Sequence, residues 1–193
     1  MTHDTGFAPN PFHGTLSLSA CKPWIREGKQ LGQHIAGFTS KELCGDKVGE
    51  ERLVYIMQVN EKITFDKYYN SDRFKCKIPS NKSRIFKVGD NIYFLSEGKY
   101  RQGFTYFHLD NDEIENDLKS DKVLLSNNFF YFGIGAIPID NFKINIPITQ
   151  TPYGVKTTDE NEVQRLWKYL ESIYKKNQVV HPPHTWDNTP FNV

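Results

Sequence analysis

The sequence predicts an α+β domain: a small, mostly antiparallel, β-barrel-like sheet with short flanking helices and a C-terminal amphipathic helix. Three observations carry this expectation. RLVYIMQVNEKIT, Arg52 to Thr64, is dominated by strand-favouring residues. KVLLS and FFYFG, between Lys122 and Gly133, are short apolar runs parted by Asn127 and Asn128, a turn signal. Val163, Leu166, Trp167, Leu170, Ile173 and Tyr174 recur at helical spacing. Strands come first, short helices lie between them, and the longest helix comes last.

Taken in order, Asp4 to Gly14 (DTGFAPNPFHG) suits neither helix nor strand. Pro9 and Pro11 restrict their own φ and push Ala8 and Asn10 towards extended backbone, which makes this a stiff loop. Thr15 to Ala20 alternates as a short strand. CKPWIREGKQLG then predicts one or two helical turns, with Pro23 in the first turn and Gly32 at the exit. His34 to Phe38 reads as a strand, Thr39 to Glu51 as a polar loop, and Arg52 to Thr64 as one long strand. A helical turn with Phe65, Tyr68 and Tyr69 on one side follows. Lys75 to Lys99 is basic and irregular, with DNIYF as a possible strand, and His108 to Asp121 is an acidic, solvated loop. Pro138 and Pro147 argue against a central strand over Ile137 to Thr151. A helix from about Asp159 to Lys176 follows a capping box of Thr157 and Glu160. The expected organisation is one domain over residues 1–178 and a proline-rich tail over 179–193, with Trp186 as its anchor.

Composition narrows the function classes. The 193 residues carry 24 basic and 23 acidic side chains, a net charge of +1. A generally basic nucleic-acid coat is therefore excluded, and any such contact is a local patch or a pocket for one nucleotide. Cys21, Cys44 and Cys76 are odd in number and show no paired spacing, which fits reduced thiols and a cytoplasmic location. No apolar run has the length of a membrane span, and no basic, apolar leader opens the chain.

The opening loop can present Phe7 and Phe12 as flat surfaces beside the Asn10 amide, with Thr15 at its end. Stacking with edge hydrogen bonds is how a base is recognised. The same residues also suit core packing and a turn cap. Lys22 and Arg26 lie four apart and share a face of the next helix, a small anion site or simply two solvated cations. Lys22, if partly buried, also suits a base or nucleophile, and Cys21 a nucleophile or a small core residue. Arg73 lies in KYYNSDRFKCKIPSNKSRIFK, where cations alternate with aromatics, a mix that fits single-stranded nucleic acid as well as ordinary surface. His181 and His184 are three apart but flank Pro182 and Pro183 without a third ligand, so no metal is expected. No GxxxxGK[ST], strand-borne GxGxxG or GxSxG motif occurs, and no cofactor is expected.

THDTGFAPNPFHGTLSLSACKPWIR, followed by HIAGF, RLVYIMQV, FDKYYNSDRF, DNIY and KVLLSNNFFYFG, resembles the bacterial and phage family called nucleotide modification associated domain type 2, over His3 to Gly133. The GFAPNPF loop and the CKPWIR stretch are its specific parts. The resemblance implies a role in DNA or nucleotide modification or in phage–host conflict. Gly32-Gln33 departs from the family's Gly-Asp, and the resemblance implies a further strand upstream of Met1. The strand–loop–helix–strand order is also similar to that of PUA-like domains, some of which read modified bases. In that arrangement the front loop, the CKPWIR helix and the strand around Arg52 to Val59 line one cleft.

The sequence therefore points to a domain that binds a nucleotide or modified base. Phe7, Asn10, Phe12 and Thr15 face the base, Lys22 and Arg26 hold an anionic group, and Arg73 extends the backbone contact. Two alternatives stand beside it. One is an enzyme acting on a base or nucleotide through Lys22 or Cys21, with Asp4 as acid or base. The other is a protein–protein interaction module.

Overall fold

The computed structural model describes residues 1–138 and 159–186. In chain order the elements are β1 (Leu16–Leu18), α1 (Pro23–Gly28), β2 (His34–Phe38), α2 (Lys41–Cys44), β3 (Arg52–Gln58), β4 (Glu61–Thr64), α3 (Phe65–Asn70), α4 (Arg84–Lys87), β5 (Tyr93–Ser96), β6 (Lys99–Gln102), α5 (Asn111–Asp117), β7 (Lys122–Ser126), β8 (Phe129–Tyr131), β9 (Ile137–Pro138), α6 (Glu160–Ile173) and β10 (Gln178–Val179). Single 3₁₀ stretches follow α3 and β8. Among the described residues the fold is mixed α+β with mostly antiparallel pairing, and the strands form three sheets rather than a closed barrel.

The chain folds as two interleaved units. The first comprises Met1–Asp4, His34–Met57 and Asn128 onwards. Its sheet runs β10-β8-β3-β2, with β9 also on β3. Its core gathers Leu53 and Ile56 of β3, Phe130 of β8, Phe132, Ile137, and Leu166, Trp167 and Leu170 of α6. Of the helical stripe read from the sequence, Leu166, Trp167 and Leu170 form the face that α6 buries, Val163 is half-buried, and Ile173 is exposed. Asp159 caps this helix, accepting from the Asn161 amide at 2.7 Å. Thr157 of the expected capping box lies outside the described residues. Of the stretch read as a tail, the described residues enter this unit: β10 pairs in parallel with β8, and Trp186 is buried.

Gly133 illustrates how tightly that stretch packs. Its φ is +52°, and a Cβ there would lie 2.1 Å from the Pro182 carbonyl oxygen. Gly133→Ala is expected to cost about 1–3 kcal/mol. A shifted urea midpoint at unchanged slope would show this, and an unshifted midpoint would refute it.

The second unit comprises Thr5–Gln33 and Gln58–Asn127. Its sheet centres on β7, which pairs antiparallel with β1 (Leu18 opposite Leu124) and with β4 (Ile63 opposite Val123). β5 and β6 form a hairpin whose turn residues, Glu97 and Gly98, have φ of 52° and 73°. Two positive φ values in a two-residue turn match the twist of the strands it joins.

Several expectations are corrected. The run Arg52 to Thr64 is two strands. Val59 exchanges backbone hydrogen bonds with Gly32 and Gln33, and Asn60 then donates to Leu125, where β4 begins on another sheet. Val54 to Met57 are all buried, so no alternation marked the break. The polar loop holds α2, capped by Ser40. The acidic loop holds α5, where Asp110 caps the helix and Asp112 and Glu113 sit favourably in its first turn. Among the described residues, no helix is long and apolar enough to cross a membrane.

Candidate active site

At the end of β1 the chain turns sharply. Cys21 and Lys22 both take left-handed backbone, with φ of 56° and 45°, immediately before Pro23 opens α1. Consecutive non-glycine residues in this region are strained and need support from their surroundings. Asp117 supplies part of it: its Oδ1 accepts from the Cys21 amide at 2.6 Å. Arg26 supplies more, donating from Nε to the Cys21 carbonyl at 2.9 Å.

The turn presents the Cys21 sulfur to a histidine. Sγ lies 3.2 Å from Nε2 of His108, and Nδ1 of the same ring lies 2.6 Å from Oδ2 of Asp117. His108 is itself left-handed, with φ 54°. The three groups form a line, with Asp117 fully buried, His108 nearly so, and Cys21 partly exposed. Tyr93 donates its hydroxyl to Asp117 Oδ2 at 2.8 Å. Burial first, and then the Asp117 carboxylate, pushes the Tyr93 phenol up, so it remains a donor. Burial opposes charge on His108, but hydrogen bonds to Asp117 and Cys21, and the charges of both, outweigh it and raise the ring to about 10. A thiol, an imidazole and a carboxylate stand in the order that nucleophilic catalysis uses.

The residues singled out from the sequence are distributed around this line. Phe7 stacks on Phe107, with centroids 4.9 Å apart, and sets its ring 5.1 Å from the His108 ring. It is buried, as is Phe12. Asn10 faces inward: Oδ1 accepts from Lys77 Nζ at 2.7 Å, and Nδ2 donates to the Val88 carbonyl at 2.8 Å. Arg26 is fully buried, donating to the carbonyls of Cys21, Asp117, Ser120 and Lys122. These bonds hold α1 against the stretch from the end of α5 to the start of β7 and engage four of the five guanidinium N–H groups. Lys22 is exposed beside Cys21, and Thr15 is half-buried ahead of β1. Arg73 is exposed and forms a forked pair with Glu61.

Asp4 belongs to the first unit. Its Oδ1 accepts from the Tyr131 hydroxyl at 2.5 Å, and its Oδ2 lies 2.8 Å from Nδ1 of His184. The strand expected to wall the front-loop cleft, β3, is also assigned to the first unit through Met57.

A family model for nucleotide modification associated domain 2 matches residues 1–190. The chain belongs to this family. No curated protein and no solved structure matches it.

In this nucleotide modification associated domain, His108 and Asp117 escaped sequence reading because they lie 87 and 96 residues from Cys21. A signal existed within the acidic stretch. Ile114 and Asp117 lie three apart on α5 and Leu118 caps it, so one carboxylate falls on the side of the half-buried apolar residues. Cys21, His108 and Asp117 also offer three possible metal-ligating atoms within 4.8 Å of one another. The imidazole, however, directs one nitrogen at sulfur and the other at the carboxylate. An ion held by Sγ and Nε2 would have Asp117 behind the ring, leaving two of these groups as direct ligands where catalytic zinc takes three. A proton relay fits the geometry better.

Proposed function

We propose that this domain is an enzyme acting on a nucleotide or nucleobase, with Cys21 as nucleophile, His108 as its acid–base partner and Asp117 as the group that orients and charges His108. The carrying observation is the sulfur–imidazole–carboxylate line at 3.2 and 2.6 Å. Family membership supports the substrate class. With Asp117 behind it, His108 holds the thiol's proton at neutral pH and leaves sulfur ready for attack. Sulfur then adds to an electrophilic carbon of the base. The displaced electron pair moves to the neighbouring ring atom and takes the proton back from His108, so the adduct balances. Trp24, three residues after Cys21, and Leu109, directly after His108, are both exposed and are the apolar side chains proposed to meet a flat ring. Exposed Lys22, next to Cys21 in sequence, is the cation assigned in this reading to a nucleotide phosphate.

Nucleosides from cells expressing the protein would be compared by mass spectrometry with those from cells expressing Cys21→Ser or His108→Ala. A nucleoside that changes with the wild type and with neither variant is expected. An identical change with Cys21→Ser would refute the role of the thiol. Iodoacetamide should modify Cys21 about tenfold faster in the wild type than in His108→Ala. Equal rates would refute the relay.

A further inference from the structure

The second unit carries an exposed run of aromatic rings and cations that the thiol site does not use. Phe104 is 57 % exposed and Tyr106 39 %, with ring centroids 5.0 Å apart. Lys87 Nζ lies 5.8 Å from the Tyr106 ring. The preceding residue, Phe86, has Lys82 Nζ 5.5 Å above its ring and His13 beside it, with ring centroids 5.0 Å apart. Rings and cations thus form two groups, His13, at the end of the front loop, with Phe86 and Lys82, and Lys87 with Tyr106 and Phe104, joined through the consecutive residues Phe86 and Lys87. The chain then runs from Tyr106 through Phe107 directly into His108. Burial first, and then the charge of Lys77, pushes His13 down, so at neutral pH it is a flat neutral ring.

Exposed rings of this size are usually solitary on a soluble surface, and contiguous ones mark a binding site. Alternating rings and cations match a particular ligand chemistry. Each nucleotide of an unpaired strand offers a ring face to stack and a phosphate to neutralise. A paired duplex hides its ring faces, and a single nucleotide spans one ring and one cation.

We propose that the substrate is single-stranded nucleic acid: flanking nucleotides lie along His13, Phe86, Tyr106 and Phe104, Lys82 and Lys87 hold their phosphates, and the target base reaches Cys21. This rests on the enzymatic reading of Cys21 for the last clause only. The acidic residues of α5, beyond His108, repel phosphate and keep the strand on the cationic side.

The test is fluorescence anisotropy with labelled oligothymidylate and oligouridylate 20-mers, a duplex of the same length, and thymidine monophosphate as competitor. The wild type should bind at least one single strand about tenfold or more tighter than the duplex, with affinity falling as salt rises. Phe104→Ala and Tyr106→Ala should each lose about tenfold, and these exposed positions leave folding intact. Lys82→Ala with Lys87→Ala should flatten the salt dependence. The arm that binds tighter tells DNA from RNA. Binding that persists while Cys21 proves unreactive towards iodoacetamide upholds the strand surface and refutes the enzyme. Equal affinity for strand and duplex, competition by the monophosphate at matching concentration, or no effect of the aromatic variants would overturn the strand surface. A reactive Cys21 alongside any of these leaves a free nucleotide as the substrate.

Discussion

Asp117→Asn is expected to reduce Cys21-dependent chemistry by about 100- to 10,000-fold while leaving the protein folded. The carboxylate accepts at once from the Cys21 amide, the His108 ring and the Tyr93 hydroxyl. An amide keeps the shape but supplies one acceptor oxygen and turns a donor towards one of these donors. His108 then loses the charge that holds its proton and the partner that sets its tautomer. Nucleoside mass spectrometry reads the first effect and iodoacetamide labelling of Cys21 the second. Wild-type rates in both would sink the orienting role.

The same pair shapes stability against pH. His108 rises from 6.5 to about 10 on folding. A raised folded value means that the folded state binds the proton more tightly. The contribution is therefore complete below about pH 6.5 and is lost as pH climbs towards 10. Urea midpoints should fall between about pH 6.5 and 8, and His108→Asn should remove the fall.

The second large effect concerns Lys77, which is buried to 1 % exposure with Nζ donating to the Asn10 carbonyl at 3.1 Å, Asn10 Oδ1 at 2.7 Å and Ser17 Oγ at 2.9 Å. These neutral oxygens satisfy the ammonium without neutralising it. Burial accordingly lowers Lys77 from 10.5 to about 8, against the opposing charge of Asp90. Asn10→Ala removes one acceptor from a buried cation and leaves the Val88 carbonyl without its donor. A loss of about 2–4 kcal/mol is expected, measured by urea unfolding at pH 7. A loss below about 0.5 kcal/mol, typical of surface changes, would show that Asn10 is not needed there.

The pH sign for Lys77 is opposite to that for His108. Its folded state releases the proton first, so a penalty present below about pH 8 is relieved as pH rises to 10.5. The two trends oppose each other between about pH 8 and 10. His108→Asn should leave only the rising limb, and Lys77→Met only the falling one. A flat profile in both variants would refute the assignment.

These residues show where sequence reading reached and where it stopped. The stiffness of DTGFAPNPFHG was legible from its prolines. That Asn10 turns inward to Lys77, 67 residues away, was not. An amide reads the same from sequence whether it faces a base or a buried ammonium. Cys21 was legible as a candidate nucleophile because it precedes a helix opened by proline. Arg26 was read as an anion holder, yet its donors also suit the carbonyls of neighbouring segments, and the fold uses four of the five so.

By itself the sequence determined what short-range physics encodes. Pro23 set where α1 starts, the apolar stripe of α6 set its buried face, and the front motifs carried the family. Tertiary structure alone decided which distant groups meet. With β7 paired between β1 and β4, the end of β1 comes to the segment leaving α5, and Cys21, His108 and Asp117 join there. Periodicity records only which side of an element is buried, whereas the partner across that burial depends on strand order and register, which no local pattern carries.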